Sequence, residues 1–245
     1  MGREFPRHWL PLKIYPTQPP TMEITHAQIP QIAPARRAWP WKWALCIVLA
    51  VAGIWYVCEA AGRWKDRFVP RKLRTVEAGR IYASGQIDRH LLRQILVDDH
   101  IKVIVSLVSD DPTDPDVAAE IQMAGDLGIQ RFIDPLMGDG TGDIHSYASA
   151  VKQMVDAQGQ GKAVLLHCSS GAQRSNGATF YYRVLVQHWN ADDAAREMTR
   201  NGHSSHSNPA LIPYLNSHMR EMAALLVQGG VIDHIPDPLP QIEHE

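Results

Sequence analysis

The stretch AVLLHCSSGAQRSNGATFYY, residues 163–182, passes from a mostly apolar run through a small polar loop into a helical pattern. The run up to Cys168 is typical of a strand that is covered on both faces of a parallel sheet. The loop Ser169–Gln173 contains small or polar residues, and a helix is predicted to begin near Arg174. Ligands bind beyond the carboxyl ends of strands in open α/β sheets, so Cys168 lies where a ligand site is expected.

The same alternation of strand and helix patterns extends outward from this stretch. Further strands are predicted at RIYAS (80–84), IKVIVSLV (101–108) and IQRFIDPLM (129–137). Helices are predicted at 88–100, 115–128, 143–158, 174–189, 191–202 and 209–228. Strands that alternate with helices indicate an α/β fold with a central, mostly parallel sheet flanked by helices.

Composition limits the classes of function. The chain has 245 residues and a formal net charge of −2, which argues against a nucleic-acid-binding protein because phosphate contacts require a basic surface. Two of the three cysteines, Cys46 and Cys58, lie in the most apolar segment, which leaves Cys168 alone in the rest of the chain. This spacing provides neither a disulfide framework nor a zinc site, and we expect no cofactor and no metal.

The N-terminal part differs in character from the rest. Residues 1–40 hold eight of the seventeen prolines, and a disordered proline-rich tail is predicted there. Every residue from Trp43 to Cys58 is apolar or glycine, and aromatic residues lie at both ends of the run. A transmembrane helix is therefore predicted at 41–62, since about 20 apolar residues span a bilayer. The alternative is a buried helix of a soluble domain.

The remaining segments follow from this division. We predict a basic juxtamembrane linker at 63–75, a folded domain at 76–229 and a flexible C-terminal tail at 230–245. More positive charge follows the apolar run than precedes it, which predicts a single-pass membrane protein with its domain in the cytoplasm. A free thiol also persists best in that compartment.

The loop after Cys168 has the composition of an anion site. Backbone N–H groups in such a loop, together with a helix N-terminus, bind anions. The same field stabilises a thiolate and can lower the pKa of a cysteine below its free value of about 8.5. Arg174 can donate two parallel hydrogen bonds to phosphate oxygens, a geometry that lysine does not provide. The loop therefore pairs a candidate nucleophile with a candidate phosphate site.

The segment HCSSGAQRS, residues 167–175, resembles the His-Cys, five residues, Arg, Ser/Thr signature of the cysteine-dependent protein tyrosine phosphatases. The small domain is similar to the dual-specificity branch, and GRIYASGQI (79–87) resembles the opening strand of its atypical bacterial and plant–fungal members. The resemblance covers about 76–224 and implies a dual-specificity-phosphatase-like fold. Many members have glycine where this chain has Gln173 and Asn176.

The resemblance also implies roles for individual residues. Cys168 would attack phosphorus, Arg174 would stabilise the transition state, and Ser175 would donate a hydrogen bond to the departing thiolate. His167 would order the loop, and Gly171 would supply its unusual backbone angles. The residues expected to bind phosphate are Ser169, Ser170, Gly171, Ala172, Gln173 and Arg174.

A carboxylic acid is also implied, on the loop that precedes the cysteine by some thirty residues. The segment FIDPLMGDGTGDIHSY (132–147) offers three candidates. Asp134 belongs to the predicted strand and Asp143 occupies the position of a helix N-cap, which favours Asp139 as the general acid. The segment HSSHS (203–207) is assigned to a solvated loop rather than to a metal site.

These observations predict a membrane-anchored phosphatase that acts on phosphoproteins, with phosphotyrosine or phosphoserine/threonine as substrate. A phosphoinositide or small-molecule phosphatase is the alternative within the same chemistry, although the neutral loop side chains at 169, 170, 172 and 173 disfavour highly charged inositol phosphates. A catalytically weak phosphate-binding module is the alternative of a different class, and the intact Cys168 and Arg174 argue against it. Thiol chemistry such as sulfur transfer is disfavoured because no resolving cysteine is present.

Overall fold

The computed structural model of the chain describes residues 41–244, so the predicted proline-rich tail at 1–40 lies outside the described residues. Its centre is a five-stranded sheet in the order β1-β2-β5-β3-β4. The strands are β1 (Arg74–Glu77), β2 (Ile81–Ser84), β3 (Ile101–Ser106), β4 (Gln130–Ile133) and β5 (Ala163–His167). Only β1 is antiparallel to its neighbour. The predicted α/β fold with a mostly parallel sheet is confirmed.

Helices flank this sheet. Helix α1 (Trp41–Asp66) precedes the sheet in the chain. The helices that follow are α2 (Arg89–Asp98), α3 (Pro115–Leu127), α4 (Ile144–Gly159), α5 (Arg174–Tyr181), α6 (Ala191–Arg200), α7 (Leu211–Ser217) and α8 (Met219–Gln228). A π-helical turn, Tyr182–Val186, continues α5. The segment predicted as one helix at 209–228 is divided at His218 into α7 and α8.

The alternation of side chains along the strands forms two apolar cores. On one face, Ile104 and Leu165 pack with the apolar side of α2 and α3. On the other, Val105 and Leu166 pack with α4, α5 and α8. Every residue of β5 is buried, as expected for a central strand that is covered on both faces.

The register of the sheet places the end of β5 at the middle of one edge. His167 pairs with Ser84 at the end of β2 and with Ser106 at the end of β3. Cys168 therefore follows the central strand at the carboxyl edge, where open α/β sheets bind ligands.

Helix α1 is distinguished by its length and apolar composition. It is 26 residues long, and its segment Trp43–Asp66 is long and apolar enough to cross a bilayer. It continues four residues beyond the predicted end at 62, and β1 begins at Arg74. The segment predicted as a linker at 63–75 thus contains the last turn of α1 and the first residues of the sheet. The sequence pattern missed β1 because this strand is only four residues long and Val76 is its one apolar residue.

The C-terminal residues differ from the predicted flexible tail. Ile242 is buried, and its N–H donates to Asn216 Oδ1 at 2.9 Å. The N–H of Glu243 donates to Asp192 Oδ1 at 2.8 Å. The apolar residues of this segment pack on the core, namely Val231, Ile232, Ile235, Leu239 and Ile242. Irregular spacing concealed this contribution, because the segment has neither strand nor helix periodicity.

Candidate active site

The loop between β5 and α5 is shaped by one glycine. Gly171 has φ +74°, and a Cβ at this position would lie 2.5 Å from the backbone N of Gly85. Both its conformation and the close approach of the β2 segment therefore require glycine. The loop is bonded to that segment by Gln86 N–H, which donates to Ser169 O at 3.0 Å, and by Cys168 N–H, which donates to Ser84 O at 3.3 Å.

The thiol of Cys168 is buried at the base of this loop. Its Sγ accepts a hydrogen bond from Gly171 N–H at 3.2 Å and lies 3.5 Å from Ser175 Oγ. Burial raises the pKa of Cys168, but hydrogen bonds from Ser175, the charge of Arg174 and the Gly171 N–H outweigh burial and lower this pKa below its usual value. The sulfur thus lies among donors that favour its thiolate form.

Arg174 begins α5 and is oriented by the neighbouring strand. Its Nη1 donates to Leu107 O at 3.1 Å, just beyond the end of β3. Its Nε is buried and has no hydrogen-bond partner among the described residues. A buried guanidinium N–H without a protein acceptor has the chemistry of a phosphate donor.

His167, which precedes the thiol, belongs to a chain of charged groups that runs from the interior to the exposed Asp110. Its Nε2 lies 3.0 Å from Glu120 Oε2, and both side chains are almost fully buried. Glu120 also accepts from Arg131 Nε at 3.1 Å, and Arg131 bonds Asp110 at 2.9 Å. Burial lowers the pKa of His167, but the carboxylate of Glu120 more than offsets this and raises the pKa above its usual value. The pair therefore favours the charged form of the imidazole directly before Cys168.

Asp143 and Asp134, two of the three candidate acids, lie in different surroundings. Asp143 is the N-cap of α4, where its Oδ1 accepts from His145 N–H at 2.9 Å. Asp134 follows β4 at the sheet edge, two strands from β5, and its backbone N–H donates to Ser106 O. Burial raises the pKa of Asp134, and a hydrogen bond from Ser149 lowers it in part. Neither of these side chains has a hydrogen bond to the Cys168 loop.

Asp139 lies on a loop that packs against the Cys168 loop. A Cβ at its neighbour Gly140 would be 3.5 Å from the backbone carbonyl carbon of Gln173. The Asp139 carboxylate is exposed and accepts from the N–H and the hydroxyl of Thr141, which lowers its pKa. Gly140, the residue after Asp139, therefore lies within van der Waals range of Gln173, the residue that precedes Arg174.

Three side chains from later in the sequence hold the Asp139 loop. The hydroxyl of Tyr147 donates to Gly140 O at 2.7 Å, and the hydroxyl of Tyr214 donates to Gly142 O at 3.0 Å. Asn208 Nδ2 donates to Asp139 O at 2.6 Å. These bonds fix the backbone at Asp139 and in the three residues that follow it.

Sequence reasoning missed several residues that contact the site. His203 is buried, and its Nδ1 lies 2.8 Å from Gln173 Oε1, so its assignment to a solvated loop was wrong. The signal available for His203 was that it lies in a polar segment between two predicted helices. Glu120 was missed as well, and the signal available for it was its position on the same face of α3 as the buried Val117 and Ala124. No group of three or more His, Cys, Asp or Glu side chains within 41–244 has an arrangement that could hold a metal.

Comparison with known proteins shows what this architecture is similar to. No protein-family profile matches the chain, and no curated protein is significantly similar in sequence. TpbA from P. aeruginosa is 21% identical with a TM-score of 0.51, over 65% of this chain and 91% of that one. The catalytic core of the PP-IP phosphatase SIW14 from S. cerevisiae is 16% identical with a TM-score of 0.52, over 70% of this chain and 97% of that one. PTPMT1 is 14% identical with a TM-score of 0.52, over 64% and 99%. These likenesses establish a common fold.

Proposed function

We propose that this chain, which has the fold of the cysteine-based tyrosine and dual-specificity phosphatases, hydrolyses phosphomonoesters through a phosphocysteine intermediate. The observation that supports this most directly is the position of the Cys168 sulfur. It lies 3.2 Å from the Gly171 amide and 3.5 Å from the Ser175 hydroxyl, in a loop that ends at Arg174. These are the groups that a thiolate nucleophile and a phosphate need at one place.

In the first step, the Cys168 thiolate attacks phosphorus and the bond from phosphorus to the leaving oxygen breaks. Asp139 gives its proton to that oxygen. In the second step, water attacks the phosphocysteine and gives a proton to Asp139, the S–P bond breaks, and the thiolate leaves with a hydrogen bond from Ser175. Inorganic phosphate is released, and the enzyme returns to its initial protonation state.

Arg174 and the loop amides act on the phosphoryl oxygens. Charge on these oxygens is spread through the transition state, and donors fixed in advance around them lower the barrier. The bond from Arg174 Nη1 to Leu107 O leaves the Nε–H edge of the guanidinium for phosphate. The dianionic phosphate also raises the pKa of Asp139 beside it, which supplies the proton for the first step.

A phosphoprotein is the substrate class that we favour. The exposed loop side chains, Ser169 and Ser170, are neutral and small, and so provide no cationic contact for additional phosphates. One similar structure, a cysteine-to-serine variant of P. aeruginosa TpbA, is a complex with phosphotyrosine; it is 19% identical to this chain with a TM-score of 0.50.

Helix α1 is assigned as the anchor of a single-pass membrane protein whose catalytic domain lies in the cytoplasm. Its large apolar side chains are exposed, including Leu45, Ile47, Val48, Leu49, Val51 and Ile54. Exposed apolar surface of this extent along one helix is stable in a bilayer. Resistance of the chain to alkaline extraction from membranes tests the anchor. Protection of the domain from protease added outside intact cells tests its orientation.

The test of the activity uses the full-length chain in detergent. We expect hydrolysis of p-nitrophenyl phosphate in the presence of EDTA, inhibition by vanadate, and loss of turnover in Cys168→Ser. Cys46→Ser and Cys58→Ser are matched controls that should retain full activity. Phosphate binding without turnover in the unmodified chain would support the binding module instead, and activity retained in Cys168→Ser would refute the mechanism.

A panel of substrates tests the substrate class. Phosphotyrosine and phosphoserine peptides are compared with a phosphoinositide in vesicles, each under the same conditions. We expect the highest kcat/KM for a phosphopeptide. A higher value for the phosphoinositide would overturn the phosphoprotein assignment and leave the phosphocysteine chemistry in place.

A further inference from the structure

The edge strand β1, which lies on the opposite side of β5 from β3, supplies an arginine that contacts the Cys168 loop, which we also call the phosphate loop. Arg74 Nη1 donates to Gly171 O at 3.1 Å, and its Nη2 donates to Asn176 Oδ1 at 2.7 Å. Arg74 is far from the loop in sequence and lies outside the segment that resembles known phosphatases. The mechanism above assigns it no role.

Asn176 completes the contact from the other side. Its side chain is fully buried, and its Nδ2 donates to Ala172 O at 2.7 Å and to Met198 O at 3.1 Å. Arg74 and Asn176 thus bond to each other and to the carbonyls of two successive loop residues. Asn176 is also one of the two positions where the sequence departs from the glycine found in many similar phosphatases.

The geometry of an anion-binding loop explains why these carbonyls need partners. When successive N–H groups turn inward to an anion, the carbonyls of the same loop turn outward, and buried carbonyls require donors. The Ser169 carbonyl is bonded by the backbone N–H of Gln86. The Gly171 carbonyl accepts a hydrogen bond from Arg74, and the Ala172 carbonyl accepts one from Asn176.

The pair also acts on the charge of the site. A cation bonded to the Gly171 carbonyl polarises that peptide unit, so the Ala172 N–H at its other end becomes a stronger donor. Burial lowers the pKa of Arg74 to about 10, so the guanidinium remains charged at neutral pH. The Cys168 thiolate and the Arg74 guanidinium attract each other.

We propose that Arg74 and Asn176 form a positioning pair that holds the phosphate loop in its anion-binding shape and places a permanent positive charge behind the nucleophile. This inference rests on the proposed phosphatase function. It makes the segment before the predicted domain start at 76 part of the active site. Neither residue touches substrate, so both act through the loop.

The experiment measures thiol reactivity and phosphate binding, neither of which requires turnover. The full-length chain in detergent, with Cys46 and Cys58 replaced by serine, is alkylated with iodoacetamide across a range of pH. Protection of Cys168 by inorganic phosphate gives the affinity of the loop. In Arg74→Met we expect the thiol pKa to rise by about one unit and phosphate affinity to fall about tenfold. Arg80→Met, an exposed arginine close in sequence, is the matched control.

Two further variants separate charge from geometry. Arg74→Lys keeps the charge but cannot make both hydrogen bonds, so the thiol pKa should recover while the phosphate affinity stays low. Asn176→Gly should lower the phosphate affinity. The double variant Arg74→Met/Asn176→Gly should bind phosphate as tightly as the single variant with the lower affinity, because the two side chains act together.

The outcome that overturns the proposal is a thiol pKa in Arg74→Met within about 0.3 units of the parent together with a phosphate affinity within about twofold of it. If Arg74→Met does not fold, Arg74→Lys and Asn176→Gly decide, and unchanged phosphate affinity in both would overturn it equally. If the parent binds phosphate but lacks phosphatase activity, the proposed function fails while these measurements still judge the pair.

Discussion

Two loops meet at the carboxyl edge of the sheet, and they are held in different ways. The Cys168 loop contains the residue that turns it, since Gly171 has a positive φ and its own N–H bonds the sulfur, and Arg74 adds a contact from β1. The loop of Asp139 is held by Tyr147, Asn208 and Tyr214, which come from elements later in the chain. A nucleophile loop built from contiguous residues can be recognised in a sequence, whereas an acid loop held from a distance cannot.

The largest effect is expected from substitution of Arg174 in the Cys168 loop. In Arg174→Lys we expect kcat/KM to fall by on the order of 10³-fold, because a single ammonium cannot replace two parallel donors to the transition state. Steady-state kinetics with p-nitrophenyl phosphate measure this loss, and Arg80→Lys is the matched control. A fall of less than about tenfold would show that Arg174 does not contact the transferred phosphoryl group.

Substitution of Asp139 tests the acid loop. In Asp139→Asn we expect kcat to fall by roughly 10²-fold for phenyl phosphate, which has a poor leaving group, and much less for p-nitrophenyl phosphate. Asp134→Asn and Asp143→Asn provide the comparison within the same loop and should keep the leaving-group dependence of the parent. If one of these two shows the selective loss instead, the general acid is that residue.

The ion pair behind the nucleophile loop predicts a dependence of stability on pH. The raised pKa of His167 stabilises the fold below its unfolded pKa, and this contribution is lost as the pH rises through the folded pKa. Although burial raises the pKa of Glu120, His167 and Arg131 lower it overall, which adds stability above its unfolded pKa that is lost as the pH falls. The pair therefore contributes most between about pH 4.3 and 6.5.

Glu120→Gln should reduce the free energy of unfolding by about 2 kcal/mol near pH 6, because His167 is left buried without its counter-charge. The loss should shrink when urea unfolding is measured at a pH above the folded pKa of His167, where the parent has lost the pair as well. Asp110→Asn, which removes an exposed partner of Arg131, serves as the control. An equal loss at both pH values would show that His167 is neutral in the folded protein.

The smallest effect is expected where one hydrogen bond holds the acid loop. Tyr147→Phe removes the bond to Gly140 O, which is worth about 1 kcal/mol, and should lower kcat about fivefold for phenyl phosphate. Tyr181→Phe removes a bond of the same kind to Leu215 O, away from both loops, and should leave kcat unchanged. Equal effects of the two variants would indicate general destabilisation rather than loss of loop position.

The contrast between the loops also shows which features could be predicted from sequence. Strand and helix periodicity predicted the alternating α/β order, because each buried strand and each amphipathic helix has a local pattern. The domain start at 76 excluded Arg74, since a four-residue polar edge strand has no such pattern. His203 and Glu120 were missed because only tertiary contacts bring them to Gln173 and His167. A buried polar residue contacts a site through the fold, and its neighbours in sequence do not reveal that contact.

The most direct test of the mechanism is detection of the intermediate itself. The full-length chain is mixed with phenyl phosphate, quenched with acid during turnover and digested, and its peptides are analysed by mass spectrometry. We predict a phosphoryl group on the peptide that contains Cys168, bonded to its sulfur, and none on this peptide in Cys168→Ser. Turnover with no phosphoryl group on Cys168, or with one on another side chain, would contradict the account.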